Sequence, residues 1–255
     1  MVFMLCIVSS VMAYKRIISL VPSLTELLFD LGLDRQIIGR TRFCIHPEDR
    51  VNTISICGGT KNPNIEKILS LNPDLIIANK EENRKSDIEI LEREVEVVLS
   101  DIGTIDEGLK FIRFIGEKLG VPDSSNAMVA KIEGLLDHER ATSTINTAYF
   151  IWKDPWMTIG NDTYIHDVMA HYALRNVFEE QKRYPTTSMD ELIGLSPELV
   201  LLSSEPFPFR EKHIRELQSY LPNSKIMLTD GEWFSWYGSR MIPAFEGLNT
   251  WRSFL

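Results

Sequence analysis

Cysteine is scarce in this 255-residue chain, which has only Cys6, Cys44 and Cys57. An odd count without repeated spacing argues against a disulfide framework. The lack of any CxxC pair argues against a closed zinc site. Cys44 and Cys57 read as two buried thiols, with a bridge or a shared ligand pair as the alternatives. Positive charge is in deficit: 27 Lys and Arg against 36 Asp and Glu leave a formal net charge of -9. A nucleic-acid footprint would need a basic face, and no run of Lys or Arg offers a grip on an anionic membrane. No apolar stretch reaches the roughly 18 to 20 residues of a membrane helix. A GxSxG elbow, a Walker loop, a GxGxxG after a strand and an HExxH are all missing. What is present is a globular profile, with 44% hydrophobic and 25% charged residues, 14 Gly and 12 Pro. The length suits one large domain or two lobes that each bury a core.

Residues 1–13 (MVFMLCIVSSVMA) are apolar and end in small side chains, like a short signal peptide, but lack a positive first region. Met12 is a second start, directly before the first strand. A weak export signal and a mis-assigned start both remain open.

From Arg16 onward strand and helix alternate. Arg16–Val21 reads as a strand, followed by a Pro22-Ser23 break. Ser23 is expected to cap a helix beginning near Leu24, with Glu26 as capping partner. Further strands are expected at Gln36–Gly39, Leu75–Ala78 and Val95–Leu99, with helices over Ile65–Leu71 and Asp87–Glu94 and one opened by Thr104, with Glu107 as its partner. Ser124–Arg140 reads as one longer helix, striped by Met128, Val129, Ile132, Leu135 and Leu136. Then the pattern restarts: strand Ala148–Trp152, helices Tyr164–Tyr172 and Met189–Leu195, strand Leu199–Ser203, helix His213–Leu221 and strand Lys225–Thr229. Such alternation implies right-handed βαβ units and parallel sheets.

The restart is a repeat. IEKILSLNPDLIIA (65–78) lines up with MDELIGLSPELVLL (189–202), and ELLFDLGLDRQII echoes HDVMAHYALRNVF in the same order. A repeat this long implies two related α/β lobes rather than a solenoid.

RIISLVPSLTELLFDLGL, GRTRFC and CGGTKNPNIEKILSLNPDLIIA together resemble the substrate-binding proteins of cobalamin and ferric-siderophore ABC importers. The resemblance runs from about Arg16 to Asp230. It implies two Rossmann-like lobes with central parallel sheets, joined by one long helix, of the class III periplasmic-binding-protein type. The expected division is 1–13 as signal or mis-assigned start, 14–122 as first lobe, 123–142 as linking helix and 143–255 as second lobe. The resemblance also implies a monomeric, non-catalytic receptor without a cofactor of its own. Such a receptor holds a metal chelate (cobalamin, a ferric siderophore or haem) between its lobes and delivers it to a permease dimer. Glu66 and Asp190 match the acidic docking positions of the family; their residue-level alternative is stabilisation of helix N-termini. The chain after Gly238 stops early, so the last helix is expected to be short or absent.

In parallel sheets, ligand groups come from loops beyond the carboxyl ends of the strands. In the first lobe these loops carry Ser23, Arg42, Phe43, Gly58, Gly59, Thr60, Lys61, Asn79, Lys80 and Glu82. In the second they carry Trp152, Lys153, Trp156, Arg183, Tyr184, Ser204, Glu205, Phe207, Trp233, Trp236, Tyr237 and Arg240. The tryptophans of WKDPW and DGEWFSWYG suit a large flat ligand at a cleft rim, or else pack beneath the loops. The Lys and Arg residues suit carboxylate or phosphate groups on the ligand, or else form a solvated face. Gly58-Gly59 lets backbone approach a ligand closely. His46 and His166 are weak metal candidates, and His138, His171 and His213 add no ligand spacing. Glu205 and Glu232 lie in second-lobe loops and could be a carboxylate pair, though nothing in the sequence sets their separation. Envelope location follows if residues 1–13 act as a signal, and a cytoplasmic one if translation starts at Met12. The competitors are a cytoplasmic metal- or corrinoid-handling protein and a chelatase-like enzyme.

Overall fold

β-strands alternate with α-helices through most of the described chain, which in the computed structural model comprises residues 14–137 and 143–255. The expectations for residues 1–13, including Cys6, and for His138 lie outside the described residues. The chain divides into two compact units. One holds residues up to Asp101 together with 110–129; the other holds 102–109 together with 130–255.

The first unit runs β1 (Ile17–Ser19), α1 (Pro22–Asp30), β2 (Ile37–Arg40), α2 (Glu48–Val51), β3 (Ser55–Ile56), α3 (Ile65–Ser70), β4 (Leu75–Asn79), α4 (Lys85–Leu91) and β5 (Val97–Ser100). All its strands are parallel, in the order β3-β2-β1-β4-β5. Helices α5 (Ile105–Lys118) and α6 (Pro122–Leu136) each carry the chain between the units. The second unit continues with β6 (Ile145–Phe150), α7 (Tyr164–His171), β7 (Leu174–Asn176), α8 (Met189–Leu195), β8 (Leu199–Ser203), α9 (Glu211–Gln218), β9 (Lys225–Thr229), α10 (Gly231–Ser235) and α11 (Met241–Arg252). Its sheet is parallel too, in the order β7-β6-β8-β9.

Both sheets start in the middle and wind outward in both directions, so each has a switch point beside its first strand. The sequence repeat falls on matching parts: α3–β4 in the first unit and α8–β8 in the second, and likewise α1–β2 and α7–β7. β4 and β8 are buried along their full length, as central parallel strands with covered faces must be. That is why both read as unbroken apolar runs, LIIAN and LVLLS. Around β4 pack Ile18, Ile68, Ile88 and Leu91; around β8 pack Phe150, Phe178, Leu192 and Leu217. No described helix is long and apolar enough to cross a membrane.

Several expectations need correction. The first helix begins at Pro22, with Val21 as a cap that uses no side chain. Proline suits a first helical position because that N–H has no intrahelical partner. Ser23 therefore lies inside the first turn, 3% exposed, and is not a cap. The helix expected over Ser124–Arg140 starts at Pro122 and ends at Leu136, and residues 138–142 lie outside the described residues. The last helix is neither short nor absent: α11 has 12 residues. Met241, Ala244, Phe245 and Leu248 form its buried stripe, and Pro243 falls in the first turn, where proline is tolerated. Thr104 behaves as expected, its Oγ1 accepting from Glu107 N at 3.1 Å. The Glu107 carboxylate reaches back to Gly103 N at 2.8 Å.

Candidate functional site

In each unit the candidate residues collect at the carboxyl edge of that unit's own sheet. In the first unit a buried amide ties the loops together. Asn83 donates from Nδ2 to Leu20 O at 3.3 Å and to Thr60 O at 3.0 Å, and its Oδ1 accepts from Asn79 N at 2.8 Å. Sequence reasoning passed over Asn83; its only signal is a second asparagine four residues after the one that ends β4. Arg42 N donates to Gly58 O at 2.9 Å, which joins the loop after β2 to the loop after β3. Gly58 sits at φ 100, in the left-handed region that favours glycine. A Cβ on Gly59 would stand 2.4 Å from Asn62 Oδ1 and 3.2 Å from the Phe43 ring, so a side chain there would have to push the Asn62 amide aside. Phe43 is 53% exposed. Lys80 pairs with Asp101 at 2.6 Å, and Lys61 Nζ donates to the Glu81 carbonyl. Glu82 N donates to Asn79 Oδ1 at 3.0 Å. The Arg42 guanidinium is exposed and has no hydrogen bond or ion pair among the described residues.

The second unit's loops are dominated by aromatic packing. Trp152, 40% exposed, meets Phe207 edge-on at 5.5 Å. Trp156 differs: it is half-buried and packs against the core cluster, edge-on to Phe150 at 5.1 Å and stacked on Phe209 at 5.9 Å. Lys153 lies 5.1 Å above the Trp156 ring and pairs with Glu216. Trp233 seats its six-membered ring against Gly247 of α11, where an added Cβ would come within 2.6 Å of it. Trp236 and Tyr237 are 9% and 6% exposed. Trp236 Nε1 donates to Glu205 Oε1 at 2.7 Å, and Ser235 Oγ donates to the same oxygen at 3.0 Å. Arg240 lies 5.4 Å over the Trp236 ring and pairs with Glu232 at 3.5 Å. Arg183 holds a left-handed φ of 58 and faces Asp162 at 3.7 Å, beside the half-buried Tyr184. Ser204 Oγ accepts from Gly231 N at 2.9 Å.

Burial, above all, raises the Glu205 carboxyl above its ordinary range; hydrogen bonds from Trp236 and Ser235 oppose this, and the Glu232 and Asp230 charges add to it. Cys44 and Cys57 are both buried free thiols raised by burial; Cys44 Sγ accepts from Thr25 Oγ1 at 3.1 Å.

The described residues contain no group of three or more His, Cys, Asp and Glu that could hold a metal. His166 Nδ1 lies 3.5 Å from Asn176 Nδ2, and His46 is half-buried. His166 also borders an open groove of about 370 Å³ along α7 and β7, with His171, Arg175 and Glu179. No other candidate residue lines it.

Glu66 and Asp190 each occupy the second position of a short helix and are exposed. Asn64 Oδ1 accepts from Lys67 N at 2.9 Å, and Ser188 Oγ accepts from Glu191 N at 3.2 Å. The caps are thus supplied by other residues in both helices.

Two doubly wound parallel α/β units, each with candidate loops at the carboxyl edge of its sheet, are the architecture that the repeat predicts. The periplasmic binding protein family model matches residues 17–222, and the chain belongs to that family. A vitamin B12-binding protein of Vibrio campbellii is 25% identical over 245 residues, covering 93% of this chain and 80% of that protein. YvrC of Bacillus subtilis, an uncharacterized ABC transporter substrate-binding lipoprotein, is 26% identical over 199 residues, covering 73% of this chain and 63% of that one. Among solved structures, the periplasmic vitamin B12 binding protein BtuF of Vibrio cholerae superposes with a TM-score of 0.81 at 22% identity, covering 94% of this chain and 97% of the other. The periplasmic heme-binding protein RhuT of Roseiflexus sp. RS-1 gives 0.79 at 20% identity, covering 94% and 98%. The fold is α/β of the class III periplasmic-binding-protein type.

Proposed function

We propose that this chain is the substrate-binding component of an ABC importer, and that its carboxyl-edge loops hold a metal chelate of corrinoid, haem or ferric-siderophore type. The carrying observation is family membership over residues 17–222, combined with aromatic and cationic side chains at the carboxyl edges of both sheets. Relatives named for vitamin B12 and structural neighbours named for haem support the ligand class. The chelate is cargo: it is bound and released unchanged, and the protein needs no cofactor of its own. A catalytic role for Glu205 finds little support, because one of its oxygens is already taken by Trp236 and Ser235. Glu66 and Asp190 are the docking contacts with a permease dimer, and the envelope is the site of action, as the lipoprotein and periplasmic relatives suggest.

Thermal denaturation with cyanocobalamin, haem and a ferric siderophore tests the reading. A ligand present at ~100 times its Kd stabilises the folded state by about 2.7 kcal/mol. The absence of a shift with all three would remove the proposal.

A further inference from the structure

Inside the second unit one imidazole is built into the backbone. His213 is 4% exposed and stands in the first turn of α9. Its Nδ1 accepts from Arg210 N at 2.9 Å, and its own backbone N–H donates back to Arg210 O at 2.8 Å. An accepting Nδ1 carries no proton, so the neutral ring bears its hydrogen on Nε2. The ring also meets Phe207 at 5.4 Å and Phe209 at 5.3 Å, and those two rings lie 4.7 Å apart. Phe207 in turn faces the exposed Trp152 at 5.5 Å, and its N–H reaches Ile151 O at 3.4 Å. One side chain thus fastens the loop between β8 and α9, and that loop supports the Trp152 ring. The charges facing the imidazole are Lys153, from the loop after β6, and Lys212 and Glu216, on α9 itself. Lys153 and Glu216 are paired with each other. The loop before α9 contributes its two phenylalanines and the Arg210 amide. Burial above all, then Lys212 and Lys153, holds the imidazole below its ordinary 6.5, and Glu216 opposes them.

A second proton on this ring must go to Nδ1, where it would face the Arg210 N–H. The bond is then lost, and a cation is left among phenylalanine rings with its donor unmatched. We infer that His213 is an acid-sensitive latch on the β8–α9 loop: neutral, it holds the loop and the Trp152–Phe207 contact in place, and protonated, it releases both. The folded ring binds fewer protons than the unfolded chain does. The latch is therefore fully closed above the ordinary value of 6.5 and weakens as pH falls below it. Trp152 and Phe207 are candidate ligand rings, so under the receptor reading above acidification loosens the binding surface of this unit.

Heteronuclear NMR and amide hydrogen exchange of the full chain between pH 7 and pH 5 test this without any ligand. The expected result is a bare Nδ1 on His213 at pH 7. After correction for intrinsic exchange, opening at the Arg210 amide should rise about fivefold or more by pH 5, while the β8 amides stay protected. The Trp152 indole signal should shift over the same range. His213→Asn offers an acceptor near the Nδ1 position and does not titrate, so in that variant the acid dependence should vanish. Glu205, on the same loop, titrates in both proteins, so the variant separates the two groups. If the variant fails to fold, the parent decides: the imidazole titration and the Arg210 opening must coincide. A proton on Nδ1 at pH 7, an Arg210 amide equally protected at both pH values, or an acid dependence unchanged in His213→Asn overturns the latch and leaves the receptor reading intact. Cyanocobalamin titration at both pH values reads the link to binding. Affinity should fall toward pH 5 in the parent and not in the variant, and a constant affinity alongside an opening loop overturns the latch's role in binding. Were the chain to bind no chelate at all, the receptor reading would fail while the exchange data would still decide the latch.

Discussion

Trp236 Nε1 donates to Glu205 Oε1 at 2.7 Å, across 31 residues of sequence. This bond joins the loop after β8 to the end of α10, with Ser235 Oγ on the same carboxylate oxygen. The Glu205 carboxyl is raised mainly by burial. The folded state therefore holds this proton to higher pH than the unfolded chain, whose ordinary value is 4.5. Between those two points the folded state binds more protons, so stability from this group is present at low pH and is lost as pH rises through the folded value. Glu205→Gln keeps the acceptor for Trp236 and removes the buried charge. Its melting temperature should equal or exceed that of the parent at pH 7, with the difference shrinking toward pH 4. A Gln variant that is less stable than the parent at pH 7 would show that the ionised carboxylate is favourable there.

Two tryptophans four residues apart should behave oppositely. Trp156 is half-buried and packs on Phe150 and Phe209, so Trp156→Ala strips a ring from the edge of the core and should lower stability by about 2–3 kcal/mol, below the cost of a fully buried ring. Trp152 is 40% exposed, so Trp152→Ala should change stability far less and, under the proposed function, should weaken chelate binding. Denaturant unfolding together with ligand titration separates the two effects. Equal destabilisation by both variants would contradict the assignment of one ring to the core and the other to the surface.

Gly247 makes room for the Trp233 ring. Gly247→Ala places a methyl within 2.6 Å of that ring, and the overpacking should destabilise the second unit by about 1–3 kcal/mol. Near-ultraviolet circular dichroism should report the displaced indole. An unchanged spectrum and melting temperature would mean that the ring has room to move.

The chain's order of elements was legible because the physics is local. LIIAN and LVLLS announce covered parallel strands, and the two copies of helix-Pro-acid-strand announce a second α/β unit. Short edge strands were not legible: Ser55–Ile56 and Leu174–Asn176 exist through pairing with β2 and β6, not through their own composition. The candidate loops were found by position, since every strand end in a parallel sheet lies at one edge. Which loop rings turn inward was not readable, because half-buried Trp156 and buried Trp236 are held by Phe209 and Glu205, about 30 to 50 residues downstream or upstream. The pairing of loop cations is likewise a contact between distant residues, such as Lys153 with Glu216. Sequence supplied the charges, and tertiary packing decided which of them are satisfied.

The thiols offer a check on the first unit. Cys44 and Cys57 are buried and raised by burial, so their thiolate fractions at neutral pH are low. Iodoacetamide should leave both unmodified in the native protein and alkylate both after denaturation, as peptide mass mapping would show. Rapid native labelling of Cys44 would contradict its placement between Thr25 and Thr41.

Glu66 and Asp190 stand at equivalent points of the two units: second in a short helix, exposed, each behind a cap residue that already serves the helix amides. An acid that is not needed as a cap and lies at the surface is free to meet a cation on a partner. Under the proposed function that partner is the permease dimer, whose two halves would take one acid each. Glu66→Arg and Asp190→Arg should therefore leave cyanocobalamin affinity and melting temperature within error of the parent. Binding to the reconstituted transporter, and ligand-stimulated ATP hydrolysis, should fall at least tenfold for either variant, and further for the pair together. Like charges facing across the contact would raise the dissociation rate more than they slow association, because the docked pair is desolvated. Unimpaired ATPase stimulation by the double variant would show that the transporter grips some other surface.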